Sequence, residues 1–159
     1  MKKFFKTIIC VSCISLYLLK IEQVKSLVPY YYLPTKKILQ RESLSIGKNA
    51  YQLLYFGQYK ESLNLARLAI KINKTDVKLW LILSEAQVAN KLYTKGLSSL
   101  NEAQKINPNI SEIYFAKSNI YFKIEQFQNA KKALKTGLSF EPNNHKAIFQ
   151  LGNILLMEK

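Results

Sequence analysis

The chain has 159 residues, enough for one domain with a real core, and its 48% apolar content excludes a wholly disordered chain. Its formal charge of +14 raises nucleic acid or an anionic membrane as partners. Arg41 and Arg67 are nevertheless the only arginines and the lysines are scattered, so the side chain that grips phosphate through two parallel bonds is nearly missing and a nucleic-acid partner is disfavoured.

In chain order, Lys2, Lys3 and Lys6 precede an uncharged run from Thr7 to Leu19, too short for the roughly 20 apolar residues of a bilayer crossing. Lys20, Glu22 and Lys25 prevent its extension. The pattern predicts a secretory signal peptide over residues 1–26, cleaved after Ser26, or else a short membrane anchor. Either way the rest of the chain is exported, to a periplasm, a thylakoid lumen or the medium, or is held by its anchor outside the cytoplasm. Cys10 and Cys13 form a C-x-x-C inside the apolar run, with no partner cysteines, so neither redox chemistry nor a metal site is expected of them. Removal of the leader leaves 19 basic and 9 acidic residues, a charge of +10, and no cysteine for a disulfide.

Residues 27–42 form a second segment. In "LVPYYYLPT", Pro29 and Pro34 flank three tyrosines and forbid a helix across them, so an extended stretch is expected, packed along the first hairpin or resting on a membrane surface. Membrane contact is thus a candidate role of residues 1–35. Lys36 to Ser45 reads as the start of a helix leading into the main domain, 43–159.

That domain repeats every 34 residues without a gap: 43–76, 77–110, 111–144 and a partial unit, 145–159. One column holds Ala50, Ser84, Ser118 and Gly152, a second Ser62, Gly96 and Ala130, a third Ala69, Ala103 and Gly137; every entry is small. Tyr59, Tyr93 and Phe127 form an aromatic column, and Ile72, Ile106 and Phe140 a large apolar one. Each unit divides into two helix-length halves. In the third, Ile113, Tyr114, Ile120, Tyr121 and Ile124 recur at helical spacing, Glu125-Gln126 turns the chain, and Phe127, Ala130, Leu134 and Leu138 mark a second stripe. Pro142 ends that helix, and Asn143 or Asn144 caps the next. Small residues in register let two antiparallel helices approach closely. A hairpin of this size cannot hide its own apolar stripe, which is why such units come in arrays.

This pattern resembles the tetratricopeptide repeat, a 34-residue helix–turn–helix with a Trp, Leu-Gly, Tyr, Ala, Phe, Ala, Pro signature. Trp80, Leu83, Ala103 and Pro108 match in the second unit, Tyr114, Tyr121, Ala130, Leu134 and Pro142 in the third, and Leu151-Gly152 in the fourth. Departures are Lys74 for the proline of the first unit, Gly96 and Gly137 for alanines, and Lys117 for the leucine of the third. The resemblance implies an all-α fold: a right-handed α-α superhelix of three full hairpins plus the first helix of a fourth, whose concave wall is lined by the first helix of each unit.

Counting along those first helices assigns Tyr51, Leu54 and Tyr55 to the wall, then Leu81, Glu85 and Val88, then Phe115, Asn119 and Phe122, then Phe149, Asn153 and Leu156. The set is apolar and aromatic, which predicts a groove for an apolar or aromatic peptide segment or a partner's helix, with main-chain hydrogen bonds to Glu85, Asn119 and Asn153. Similar co-chaperones grip a terminal carboxylate with lysine and asparagine, but those places hold Gly47, Tyr51 and Phe115 here. No catalytic role is expected. His145 is the single histidine, placed at a helix start, the carboxylates are spread over separate helices, and neither a phosphate loop nor a metal-ligand spacing is present, so no cofactor is predicted.

The last stretch, "HKAIFQLGNILLMEK", supplies a first helix without a second to cover it, and so offers a flank for a partner or another copy of the chain. Two functions are consistent with this organisation. One is a non-catalytic scaffold that holds client polypeptides during assembly of a membrane or envelope complex; the other is a membrane-tethered structural subunit whose terminal helix is an interface.

Overall fold

A threonine opens the first helix. The computed structural model describes residues 35–157, and there the Thr35 hydroxyl accepts a hydrogen bond from the Ile38 amide at 3.4 Å, just after Pro34. The signal or anchor, the extended tyrosine segment and their proposed membrane contact lie outside the described residues.

Seven α-helices and no strand make up the described chain: α1 (Lys36–Tyr55), α2 (Tyr59–Ile72), α3 (Val77–Ala89), α4 (Tyr93–Ile106), α5 (Ser111–Lys123), α6 (Phe127–Phe140) and α7 (His145–Met157). None of the described helices is long and apolar enough to cross a membrane. The first turns of α1 stay largely exposed, and burial begins at Ser43.

The turns within hairpins share one geometry. Gly57, Lys91 and Glu125 occupy the same repeat position and all three are left-handed, with φ of 74°, 61° and 61°. Each closes a C-terminal cap in which the amide one residue on reaches back five residues: Gln58 to Leu53, Leu92 to Gln87 and Gln126 to Tyr121, at 2.8 to 2.9 Å. Glycine adopts this conformation freely, whereas Lys91 and Glu125 bear a steric cost of about 1–2 kcal/mol each.

Between hairpins, side chains replace the missing backbone partners. The Asn73 and Asn107 carboxamides accept the amides of Thr75 and Asn109 at 3.1 and 3.0 Å, and Asp76 caps α3 by accepting the Lys78 amide at 2.8 Å. Of the two candidates for α7, Asn144 is the cap, accepting the Ala147 amide at 3.0 Å. Aromatic side chains pin two of these loops: Trp80 donates its indole N–H to the Lys74 carbonyl at 2.8 Å, and Tyr114 its hydroxyl to the Pro108 carbonyl at 2.6 Å, one repeat apart.

The core is a row of three clusters, not one centre. Ala50, Leu63, Ala66, Leu79 and Leu83 join α1 to α3; Leu100, Ala103, Ile113 and Ile120 join α4 to α5; Ala130, Leu134, Ala147 and Ile154 join α6 to α7. Trp80 packs against both the first and the second. Each fully buried leucine or isoleucine contributes about 1.5–3 kcal/mol, and each stabilises only its neighbours in the row.

The small columns mark where helices touch. Ala50, Ser84 and Ser118 are buried, and so are Ser62, Gly96, Ala130, Ala69, Ala103 and Gly137. Close approach also brings hydrogen bonds across the hairpin, from the Ser62 hydroxyl to the Ala50 carbonyl at 2.7 Å and from Ser84 to the Gly96 carbonyl at 3.1 Å. Gly152 departs from its column. It is exposed, and a Cβ built on it meets nothing within 4 Å.

Candidate functional site

The first helices of the three hairpins, α1, α3 and α5, lie along one wall, and the wall is not uniform. Where α1 meets α3, Gly47 is buried beneath the next hairpin: a Cβ there would stand 2.5 Å from Leu79 Cδ2 and 3.5 Å from Ile82 Cδ1. One repeat later the equivalent position is Leu81, and there α3 and α5 leave a cleft of about 960 Å³.

Its floor is apolar. Leu81 and Val88 come from α3, Phe115, Ala116 and Phe122 from α5, and Phe127 from the start of α6. Phe122 meets Phe127 edge-on, with ring centroids 5.7 Å apart. Phe115 is half-buried and belongs as much to the core, because its ring lies where a Cβ on Gly137 would be, 2.4 Å from Cε1. The glycine that replaces the signature alanine is therefore what seats this ring.

Of the wall residues expected from sequence, Leu81, Glu85, Phe115, Asn119 and Phe122 converge on the cleft together with Val88. Tyr51, Tyr55, Phe149 and Asn153 do not line it. Tyr51 and Tyr55 are exposed beside the α1–α2 turn, where Tyr55 meets Phe56 edge-on at 5.6 Å, and Phe149 is exposed on α7. Leu54 packs into the first core cluster. Counting by helix position places Leu81, Glu85, Val88, Phe115, Asn119 and Phe122 on one cleft, whereas Gly47 lets α3 close over α1 at the first hairpin.

Other lining residues escaped the sequence count. Glu112, Ala116 and Lys123 fall on the same face of α5 as Phe115 and Asn119, and helical spacing could have found them. Glu125 enters from the left-handed turn and Met157 from α7, which only the fold brings near. Asn119 is not free of partners: Gln150 of α7 donates to its Oδ1 at 2.8 Å.

Two ionisable groups are perturbed. Glu85 is exposed on α3, and partial desolvation by the cleft walls raises its carboxyl above the ordinary pKa, while burial lowers Lys117 below its own. Lys117 stands in place of the signature leucine and donates to the Gln104 side-chain oxygen, while Gln104 donates to the Tyr114 hydroxyl at 3.2 Å. A polar network has replaced apolar packing there.

The tetratricopeptide-repeat family model matches residues 111–144, the α5–α6 hairpin and the loop after it. This hairpin is similar to a tetratricopeptide repeat. The described helices as a whole adopt the tetratricopeptide solenoid fold, as solved structures show. The first such domain of human RPAP3 is 20% identical, with a TM-score of 0.70 over 74% of this chain and 92% of that one. The first tetratricopeptide domain of Spaghetti (RPAP3), bound to the HSP90 peptide SRMEEVD, is also 20% identical, with a TM-score of 0.69 over 74% and 94%. The Yersinia enterocolitica type III secretion chaperone SycD, in complex with a peptide of the translocator YopD, is 13% identical, with a TM-score of 0.65 over 72% and 93%. No curated protein sequence matches. At such identities the likeness establishes the tetratricopeptide fold alone.

Proposed function

We propose that the protein is a non-catalytic interaction scaffold that holds an apolar or aromatic polypeptide segment in the cleft between α3 and α5, in service of assembling a membrane or envelope complex. The observation that carries this reading is the cleft itself: about 960 Å³ with aromatic and aliphatic side chains on its floor, on the wall that the fold presents to ligands. Solved relatives in fold hold peptides, an HSP90 peptide in one and a translocator peptide in another, which supports the same use here. A terminal-carboxylate grip is not part of the proposal, because Gly47 is covered by Leu79 and Phe115 is seated on Gly137.

A photoreactive residue in place of Leu81 should crosslink one predominant client, and the same residue at Tyr51, outside the cleft, should not. Asn119→Trp blocks the cleft from an exposed position without emptying the core, so it should abolish the crosslink while the circular dichroism stays helical. Undiminished crosslinking in the blocked variant would overturn the assignment.

One observation favours the alternative, a structural subunit docked through its terminal helix. Along α7, Ile148, Phe149, Leu155, Leu156 and Met157 are all exposed, and only Ala147 and Ile154 are buried. Self-association through α7 would appear in sedimentation as a dimer that Phe149→Glu dissociates; a monomer at every concentration removes this reading.

A further inference from the structure

The charge around the cleft runs against the charge of the chain. Residues 35–157 contain eighteen lysines and arginines and eight acidic residues. Three of those eight, Glu85, Glu112 and Glu125, line the cleft, against a single cation, Lys123. They come from α3, from the first turn of α5 and from the left-handed turn after α5, so they surround the floor from separate elements. Among the described residues, ion pairs join Arg41 to Glu42 and Lys105 to Glu102, and neither reaches the cleft. A basic protein has thus placed a group of carboxylates outside those pairs around this apolar cleft.

Building on the scaffold reading, we propose that the cleft selects a segment in which apolar or aromatic side chains alternate with lysine or arginine, its apolar face on Leu81, Phe115 and Phe122 and its cations against Glu85, Glu112 and Glu125. Glu85 stands exposed on α3, and the cleft walls desolvate it only in part. Glu85 bears a cost of desolvation, and its raised pKa records that cost. A basic ligand would compensate it, whereas an acidic ligand would add a carboxylate to three already present. Peptides of the SRMEEVD kind, held by a relative in fold, are therefore poor candidates for this cleft.

The test uses the full chain and three fluorescent peptides of identical length with leucine and phenylalanine at alternate positions, the intervening residues being lysine, glutamine or glutamate. Rim pairs of ordinary strength predict that the lysine peptide binds roughly tenfold tighter than the glutamine peptide at about 0.05 M salt, and that the gap closes towards about 0.5 M. Glu85→Gln combined with Glu125→Gln should remove most of that advantage by weakening the lysine peptide far more than the glutamine peptide, with Glu61→Gln on α2, outside the cleft, as the variant that leaves both unchanged. Equal binding of all three peptides, or preference for the glutamate peptide, overturns the charge selection and leaves the scaffold standing. Failure of all three to bind overturns both.

Discussion

The two halves of the inner wall obey the same repeat and end in opposite states. Between α1 and α3 the wall is shut, because Gly47 gives way to Leu79 and Ile82 of the next hairpin. Between α3 and α5 it is open, and the residues at the position of Gly47 are Leu81 and then Phe115. The lesson is that a solenoid regular in its small columns can vary its binding surface through one column outside them. Side-chain bulk at that place decides whether neighbouring hairpins meet or stand apart.

The most severe way to break the comparison is to give the shut half the residue of the open one. Gly47→Leu has no room, since its Cβ alone would fall 2.5 Å from Leu79, which is itself fully buried. A loss of about 3 kcal/mol or more in urea unfolding is expected. The reciprocal trimming, Leu81→Ala, removes a half-buried side chain and should cost about 1–2 kcal/mol. If Gly47→Leu unfolds no more easily than Leu81→Ala, bulk is not what distinguishes the halves.

A smaller effect is expected on the open side from Gly137→Ala, which restores the signature residue. Helix propensity favours alanine by about 1 kcal/mol, but the new Cβ meets the Phe115 ring at 2.4 Å. Overpacking of that kind costs about 1–3 kcal/mol, so the net change should be destabilising, and the displaced ring should weaken binding in the cleft. Gly152→Ala has the same propensity gain with open space around it, and should raise stability by about 1 kcal/mol. Opposite signs in thermal denaturation would confirm that one glycine is there for a neighbour and the other is not.

Much of this fold was legible in the sequence because it is written locally and three times. The small columns, the prolines and the capping Asn144 each report on contacts within about one repeat, where spacing and geometry correspond. The cleft was legible only in part. Its α3 and α5 residues follow from helical position, whereas the closure over Gly47, which leaves Tyr51 and Tyr55 outside the site, depends on the size of Leu79 in another unit. Spacing reaches Glu85 and Glu112 of the acidic surround but not Glu125, which enters the cleft from a turn whose left-handed backbone only Gly57 announces in sequence.

Inside the hairpins the comparison can be sharpened with serine. The Ser84 hydroxyl donates to the Gly96 carbonyl, whereas Ser118, its counterpart in the third hairpin, is buried with no hydrogen-bond partner among the described residues. Ser84→Ala should lose about 1 kcal/mol, and Ser118→Ala should be neutral or gain as much, because it removes a desolvated hydroxyl that makes no bond. Equal losses in urea midpoint for the two variants would show that Ser118 is paired in solution.

The smallest effect concerns Glu85 and appears only in its pH dependence. The folded cleft holds the Glu85 proton more tightly than the unfolded chain does, so both states are protonated below the ordinary carboxylate range and the group then costs the fold nothing. As pH rises from that ordinary value through the raised one, the unfolded chain releases its proton first and stability falls; above the raised value the deficit is constant. Glu112, Glu125 and Lys123 line the same cleft. Glu85→Gln should therefore match the parent in acid and exceed it at neutral pH, the difference growing across that window. The basic peptide should shrink the gap at neutral pH by supplying the missing counter-charge to the parent alone, which links the stability of the open half of the wall to its occupant. A variant that is less stable than the parent at neutral pH would mean that Glu85 already has its partner within the fold.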